Sequence, residues 1–431
     1  MQAVQCGAFP VDGVHTFPIA ATELRKFCES EALGPANGAY AIANVASTAT
    51  SAAIDGAGAT PSDDSAALLG LYGGVAGGAA GGAAGGAAAA VPSGVGAPAR
   101  LSASGIGVGG RRAPRVISSI AEWRALQSDG TLPPRSAPGG GGGGGLALVP
   151  TMGALHAGHL SLVRSAQRDA PLVAVSIFVN PKQFAAHEDL DTYPRQWETD
   201  LDALTACGVD LVFAPSAQDV YPPATSPQLS PFVDLAAADT VGEGRARPGF
   251  FRGVATVLTK LLNITQPTAL YMGQKDGMQC IVARRLIQDL NYPVTLIVGP
   301  TLREEDGLAM SSRNVYLTPQ QRAAAPAVYR ALQAVEAAHA QGQRSVARLR
   351  ASAAAVVATE PLLELEYLSL ACMHDAAEFE SELRAGATRG QPADGVADVL
   401  ASIAVRAGGT RLIDNVVLSD DEAPARQAPA R

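Results

Sequence analysis

Two histidines three residues apart, His156 and His159, lie in the segment Thr151-Met152-Gly153-Ala154-Leu155-His156-Ala157-Gly158-His159. Imidazoles donate hydrogen bonds and change charge near neutral pH, so a pair at one turn suits an anion whose charge shifts during a reaction. The plain alternative for either ring is a helix cap or a surface position. Further along, Gly273-Gln274-Lys275-Asp276 sets a lysine beside an aspartate in a chain with only four lysines. That pair offers a phosphate cation and an acceptor for a ribose hydroxyl, or else a solvated ion pair. In Gly307-Leu308-Ala309-Met310-Ser311-Ser312-Arg313-Asn314, two hydroxyls and a guanidinium follow one another. Such a group can wrap a polyphosphate and neutralise charge on a departing pyrophosphate, although Ser-Ser-Arg is also an ordinary surface tripeptide. Lastly, Asn180 and Gln183 flank Pro181 and Lys182. Their amides suit the hydroxyl or carboxylate groups of a small substrate, and turn residues of no further role are the alternative.

Those residues fall at the ends of short apolar runs. Runs at 146–150, 172–179, 211–214, 269–272 and 295–298 alternate with stretches of helical spacing. Continuous apolar strands alternating with helices predict a parallel sheet covered on both faces, whose ligands bind beyond the carboxyl ends of the strands. Gly153 and Gly158 allow tight turns there, and the helix that starts at the histidines turns unpaired N–H groups and its positive dipole end toward the crevice. A short amphipathic helix over 119–127 and the glycine connector 139–145 precede the first of these runs. Zinc fits poorly, because no third His or Cys stands at a suitable spacing. Beyond residue 302, an Ala-rich helix at 323–340, strands at 363–370 and 402–406, and a Gly/Pro-containing insertion near 386–395 predict a small α+β lid over the phosphates. Thr318-Pro319-Gln320-Gln321 reads as a helix start of structural value only.

Composition narrows the class. The chain has 431 residues and is 47% hydrophobic, but much of that is alanine in the stretch 32–110, which holds four charged residues. Such a segment cannot bury enough apolar surface to offset its ordering entropy, so a disordered tail is expected over 1–113. A G-x-G-x-x-G match at Gly105, Gly107 and Gly110 follows no apolar strand and carries no dinucleotide reading. No apolar run is long enough to span a membrane, and a net charge of −8 without a basic stripe argues against nucleic acid. Five cysteines without a C-x-x-C pair suggest reduced thiols in a cytosol-like compartment, so a cytoplasmic location is expected. The acidic residues near the amino end give neither a secretory signal nor an ordinary transit peptide; an atypical import signal is the alternative.

Together, T-M-G-x-L-H-x-G-H at 151–159, V-N-P-x-Q-F at 179–184, G-x-K-D at 273–276 and G-L-A-M-S-S-R-N at 307–314 closely resemble the pantothenate synthetase (pantoate–beta-alanine ligase) family. H-x-G-H and M-S-S-R also resemble the signatures of the wider nucleotidylyltransferase superfamily. The resemblance runs from about residue 115 to 421 and includes Arg411-Leu412-Ile413-Asp414-Asn415. It goes with a Rossmann-like domain expected at 114–301 and the α+β lid domain at 302–424, and a flexible end is expected at 425–431, beyond it. It implies that ATP and pantoate form pantoyl adenylate and pyrophosphate, and that the beta-alanine amine then displaces AMP to give pantothenate.

By the same resemblance, Met152, Gly153, Ala154, Leu155, His156, Ala157, Gly158 and His159 line the ATP phosphates, with His156 and His159 stabilising charge and His159 the proton donor. Gln183 and Gln279 hold the pantoate hydroxyls and carboxylate beside Asn180, and Gln183 later borders beta-alanine. Gly273, Gln274, Lys275 and Asp276 contact the nucleotide, Leu302 lies against adenine, and Met310, Ser311, Ser312 and Arg313 close over the β and γ phosphates. Lys275, Ser311, Ser312 and Arg313 join the histidines as the catalytic set. A Mg2+ ion bridging phosphates is implied, with Asp200 expected as its protein contact because hard cations take oxygen ligands. A homodimer is implied as well. Four positions depart from the family pattern: Phe250 stands at the usual histidine, Gln274 at the usual glutamate, and Gly277 and Met278 at the usual aromatic and glutamine. These leave two competing readings: a relative that adenylates another small hydroxy acid, and a nonenzymatic binding protein on the same fold.

Overall fold

The computed structural model describes residues 40–41, 112–132, 145–186, 188–223, 231–383 and 399–419. In chain order the elements of the first half are β1 (Tyr40–Ala41), β2 (Arg115–Ile117), α1 (Ile120–Ser128), β3 (Leu146–Thr151), α2 (Ala157–Asp169), β4 (Leu172–Ile177), α3 (Trp197–Cys207), β5 (Leu211–Phe213) and α4 (Ala217–Val220). They continue with α5 (Gly242–Ala246), α6 (Phe250–Thr265), β6 (Ala269–Gly273), α7 (Gly277–Asp289) and β7 (Thr295–Gly299). The last part holds α8 (Pro319–Ala324), α9 (Ala327–Ala340), α10 (Val346–Val357), β8 (Glu364–Cys372), β9 (Val399–Ala407) and β10 (Thr410–Leu418).

The first sheet has the order β1-β7-β6-β3-β4-β5-β2, parallel except for β1, which pairs antiparallel with β7. Its strands are apolar in succession because both faces are buried: in β3, Leu146 and Leu148 enter one core while Ala147 and Val149 enter the core on the opposite face. From β3 the chain proceeds to β4 on one side and later to β6 on the other. The carboxyl ends of β3 and β6 therefore bound the switch-point crevice where ligands of such sheets bind. The second sheet, β10-β9-β8, is antiparallel and packs its own core against α9 and α10.

Several expectations are revised. The second apolar run ends as a strand at Ile177, and the Phe178 amide makes the last rung of the parallel ladder by donating to the Thr151 carbonyl at 3.0 Å. The single helix expected over 323–340 is two, since Pro326 has no N–H to continue the ladder and instead caps α9. Strand β2, helix α10 and strand β10 have no counterpart among the expected elements. The tail expected to be disordered over 1–113 lies outside the described residues except for Tyr40–Ala41 and residues 112–113, and the connector 139–145 is described only at Gly145. Cys280 and Cys372 are free and buried, whereas Cys207 is disulfide-bonded, which departs from the expectation of reduced thiols.

Candidate active site

The turn after β3 is built around backbone that side chains rarely adopt. Gly153 and Ala154 both take left-handed conformations, with φ of 82° and 49°. Glycine tolerates this at no cost, while alanine is held there by its surroundings. The holder is Asp200, which is 1% exposed on α3 and accepts from the amides of Ala154 at 2.8 Å and Leu155 at 2.7 Å. Burial pushes the Asp200 carboxyl above the usual carboxylate range, and the two amides pull against that.

Three of the expected site residues therefore sit around this turn and outside the cavity wall. Asp200, the expected magnesium contact, lies behind the turn and outside the crevice lining, with each oxygen accepting from an amide. Conversely, the Ala154 and Leu155 amides face Asp200 and are unavailable to phosphates, so those residues shape the turn from within. Among the described residues, no cluster of three or more His, Cys, Asp or Glu side chains is placed to hold a metal ion.

Next come the histidines. His156 caps α2 by accepting from the Gly158 amide through Nδ1 at 3.2 Å, and His159 Nδ1 accepts from the His156 amide at 3.4 Å. The rings lie 4.1 Å apart between centroids. The expected alternative, a helix cap, thus coexists with the site. Because both Nδ1 atoms are acceptors, the neutral tautomer of each ring carries its proton on Nε2. Burial lowers the His156 pKa well below its usual value, reinforced by His159 and Lys275. Burial likewise brings His159 down to about 4, with Asp276 opposing the shift and Lys275 adding to it. Two neutral N–H donors at a helix N-terminus are therefore presented to the crevice.

One cavity gathers Met152, His156, Gly158 and His159 with Gln183, Gly273, Lys275, Asp276 and Gln279, and with Leu302, Met310 and Ser312 from the following loop. These include residues from all four motifs. Of the remaining expected residues, only Asn180 also lines the cavity. Asn180, 1% exposed, touches the cavity wall, but its Nδ2 donates to Gln183 Oε1 and the Gly253 carbonyl while its Oδ1 accepts from the Lys182 amide and the Tyr221 hydroxyl. With every hydrogen-bonding group spent inside, Asn180 orients Gln183 and has none left for substrate. Gln183 Nε2 also points at Met152 Sδ, 3.1 Å away.

Gln274 donates to Asn415 Oδ1 at 2.8 Å and does not line the cavity. Ser311 accepts from the Arg313 amide as the cap of a short 3-10 turn, and Arg313 forms a two-pronged ion pair with Asp189 at 2.8 and 2.9 Å. Neither Ser311 nor Arg313 lines the cavity in this conformation, nor do Gly153 and Ala157. Phe250 is buried under the Arg247 guanidinium, 3.8 Å from its ring centroid, and is likewise outside the cavity.

Sequence reasoning missed Tyr193, whose hydroxyl lies 3.1 Å from Ser312 Oγ in the cavity wall, and the apolar side formed by Val254, Val257, Leu258 and Leu261 of α6. The helix's strongly one-sided apolar pattern marks a buried face, but nothing local says that part of it faces a ligand.

The family model described as pantoate-beta-alanine ligase matches residues 116–417. A pantothenate synthetase of Chloroflexus aggregans is 52% identical over 273 residues, covering 63% of this chain and 93% of that protein. The corresponding protein of Roseiflexus castenholzii is 48% identical over 304 residues, covering 70% and 99%. Among solved structures, a pantothenate synthetase from Thermus thermophilus has 40% identity and a TM-score of 0.60, covering 70% of this chain and 98% of that one. The pantoate-beta-alanine ligase of Francisella tularensis, complexed with beta-gamma ATP and beta-alanine, has 29% identity and a TM-score of 0.54 over 71% and 98%.

Proposed function

The chain belongs to the pantoate–beta-alanine ligase family, and from that membership we propose a division of labour among the residues of its crevice. The protein is an ATP-dependent ligase that condenses pantoate with beta-alanine, and ATP and beta-alanine are its substrates. In the first step a pantoate carboxylate oxygen bonds to the α-phosphorus of ATP as the bond to the β-phosphate oxygen breaks, releasing pyrophosphate. In the second, the beta-alanine amine attacks the carbonyl of the adenylate, a proton leaves the nitrogen, and AMP departs.

The observation that carries this reading is the convergence of His156, His159, Lys275, Gln183 and Gln279 on one cavity at the switch point. The Nε2–H groups of the histidines and the start of α2 meet the phosphates, and Lys275 with the Ser312 hydroxyl takes up negative charge as pyrophosphate leaves. Neutral at ordinary pH, His159 acts first as a hydrogen-bond donor; an arriving polyphosphate raises its proton affinity, which is the route to the proton-donor role expected of it. Gln183, oriented by Asn180, and Gln279, held by Asp276 at 3.1 Å, bind the hydroxyl and carboxylate groups of pantoate. The apolar wall of α6 suits the two methyl groups on that substrate's quaternary carbon.

Mg2+ fits as an ion carried by the phosphates and water, because the crevice offers Asp276 as a carboxylate and no preformed cage; its part is to neutralise phosphate charge. Arg313 reaches the phosphates only by leaving Asp189, so closure over the nucleotide exchanges one anion for another. The reading includes a C-terminal lid domain from residue 302, a homodimer and a cytoplasmic location; among the described residues no helix is long and apolar enough to cross a membrane. Light scattering tests the dimer. The activity is tested by AMP formation from ATP with pantoate and beta-alanine supplied together or singly. AMP is expected only when pantoate is present, and equal AMP without it would sink the reading.

A further inference from the structure

Strand β10 commits three side chains to segments outside its own sheet. Arg411 pairs with Glu243 and Asp414 with Arg303, and Asn415 turns to the segment carrying Lys275. Asn415 is 4% exposed and does not line the substrate cavity. Its Nδ2 donates to the carbonyls of Gln274 and Lys275, each at 2.8 Å, and its Oδ1 accepts from Gln274 Nε2 at 2.8 Å. Both donors and the acceptor are thus committed to two consecutive residues of one turn. That turn, the 3-10 segment Gln274–Asp276, has no side-chain cap of its own. Two carbonyls would lose their partner if the amide were removed, and the lysine stem would start from a looser backbone.

A second observation concerns the residue just beyond. A Cβ on Gly277 would stand 2.9 Å from Leu400 Cδ1 and 3.1 Å from Asn415 Oδ1. Contacts that tight force a neighbour to move, so the absence of a side chain at 277 lets β9 and β10 close directly on the turn. Here the departure from the family's aromatic has a structural counterpart.

We propose that Asn415 is the positioning residue for Lys275: from the C-terminal sheet it clamps the backbone of residues 274–275 and thereby sets the lysine ammonium in the crevice. This rests on the reading of Lys275 as the cation that meets the phosphates. A lysine pivots on four carbons, and a displacement of its root by about 1 Å is enough to cost roughly a hundredfold in rate.

The test is a double-mutant cycle on the full chain, N415D against K275A, followed by pantoate-dependent exchange of pyrophosphate into ATP with kcat and KM resolved for each substrate. Aspartate keeps the shape of asparagine, removes both donors and sets an anion against two carbonyls. Expected are a fall in kcat of roughly tenfold to a hundredfold for N415D, a pantoate KM changed by less than about twofold, and a further change of less than about twofold when N415D is added to K275A. A residue of purely structural value would cause the same fold-loss in both backgrounds, and that additivity overturns the proposal. A K275A variant with an undiminished rate overturns the reading of Lys275 instead, so the two failures are distinct. Should N415D not fold, G277A, which crowds Asn415 Oδ1 and Leu400, enters the same cycle and is judged in the same way.

Discussion

Burial holds both imidazoles of the H-x-G-H segment neutral, with His159 at about 4. The folded-state value lies below the ordinary one near 6.5, so between those values the unfolded chain binds more protons than the native one. The sign follows: stability is fully present above about pH 6.5 and is lost as pH falls toward about 4. H159N, which removes the titration of this ring, leaves that of His156 and keeps a polar side chain, is expected to lessen this acid-side loss. Urea midpoints at pH 7, 5.5 and 4.5 check it, and parallel curves for the two proteins would refute it. At this scale the types and spacing of the chemical residues were legible, because imidazole, ammonium and hydroxyl groups declare what they can do. What Asn180 does was not. Its partners Gly253 and Tyr221 stand 73 and 41 positions away, and only their arrival spends the amide that is free for substrate in the sequence alone.

Among the elements, the turn after β3 places the histidines, and α3 holds that turn through one carboxylate. Replacing Asp200 with alanine leaves two buried amides without an acceptor and two left-handed residues without their clamp. A loss of about 2–4 kcal/mol in unfolding free energy is expected, with a weakened ATP affinity because the start of α2 shifts. Denaturant unfolding and nucleotide titration measure the two effects, and an unchanged stability would assign Asp200 elsewhere. Parallel strands buried on both faces are uniformly apolar, so β3, β4, β5, β6 and β7 are legible to within two residues of their ends. Strand β2 is not, because three residues carry no periodicity, and α8 and α9 merge because their alanine-rich pattern runs on across Pro326.

Over the whole molecule, the C-terminal sheet is tied to the helices and loops around the first sheet by buried ionic contacts as well as by apolar packing. Glu243, 5% exposed, accepts from Arg411 of β10 at 2.9 and 2.7 Å and from Arg247 at 3.0 Å, and Arg247 in turn holds Glu188 and the Gln183 carbonyl. Burial alone would raise the Glu243 carboxyl, but Arg411 and Arg247 reverse that and hold it below its usual range. A path of contacts therefore runs from the C-terminal sheet to the Gln183 carbonyl. All cavity-lining residues lie between Pro150 and Ser312, so a chain beginning at Arg112 is expected to keep kcat/KM within about twofold. A large loss of activity in a folded chain of that length would give the preceding residues a role in the site. By itself the sequence determined the fold class, the family and the place of the crevice, because apolar alternation, glycines at turns and clustered motifs are local properties. Only the tertiary structure decided which polar groups face the crevice and which are consumed inside. Asp200, Gln274 and Arg313 find their partners 46, 141 and 124 positions away, and hydrogen-bonding capacity becomes a role only once the partner that occupies it is in place.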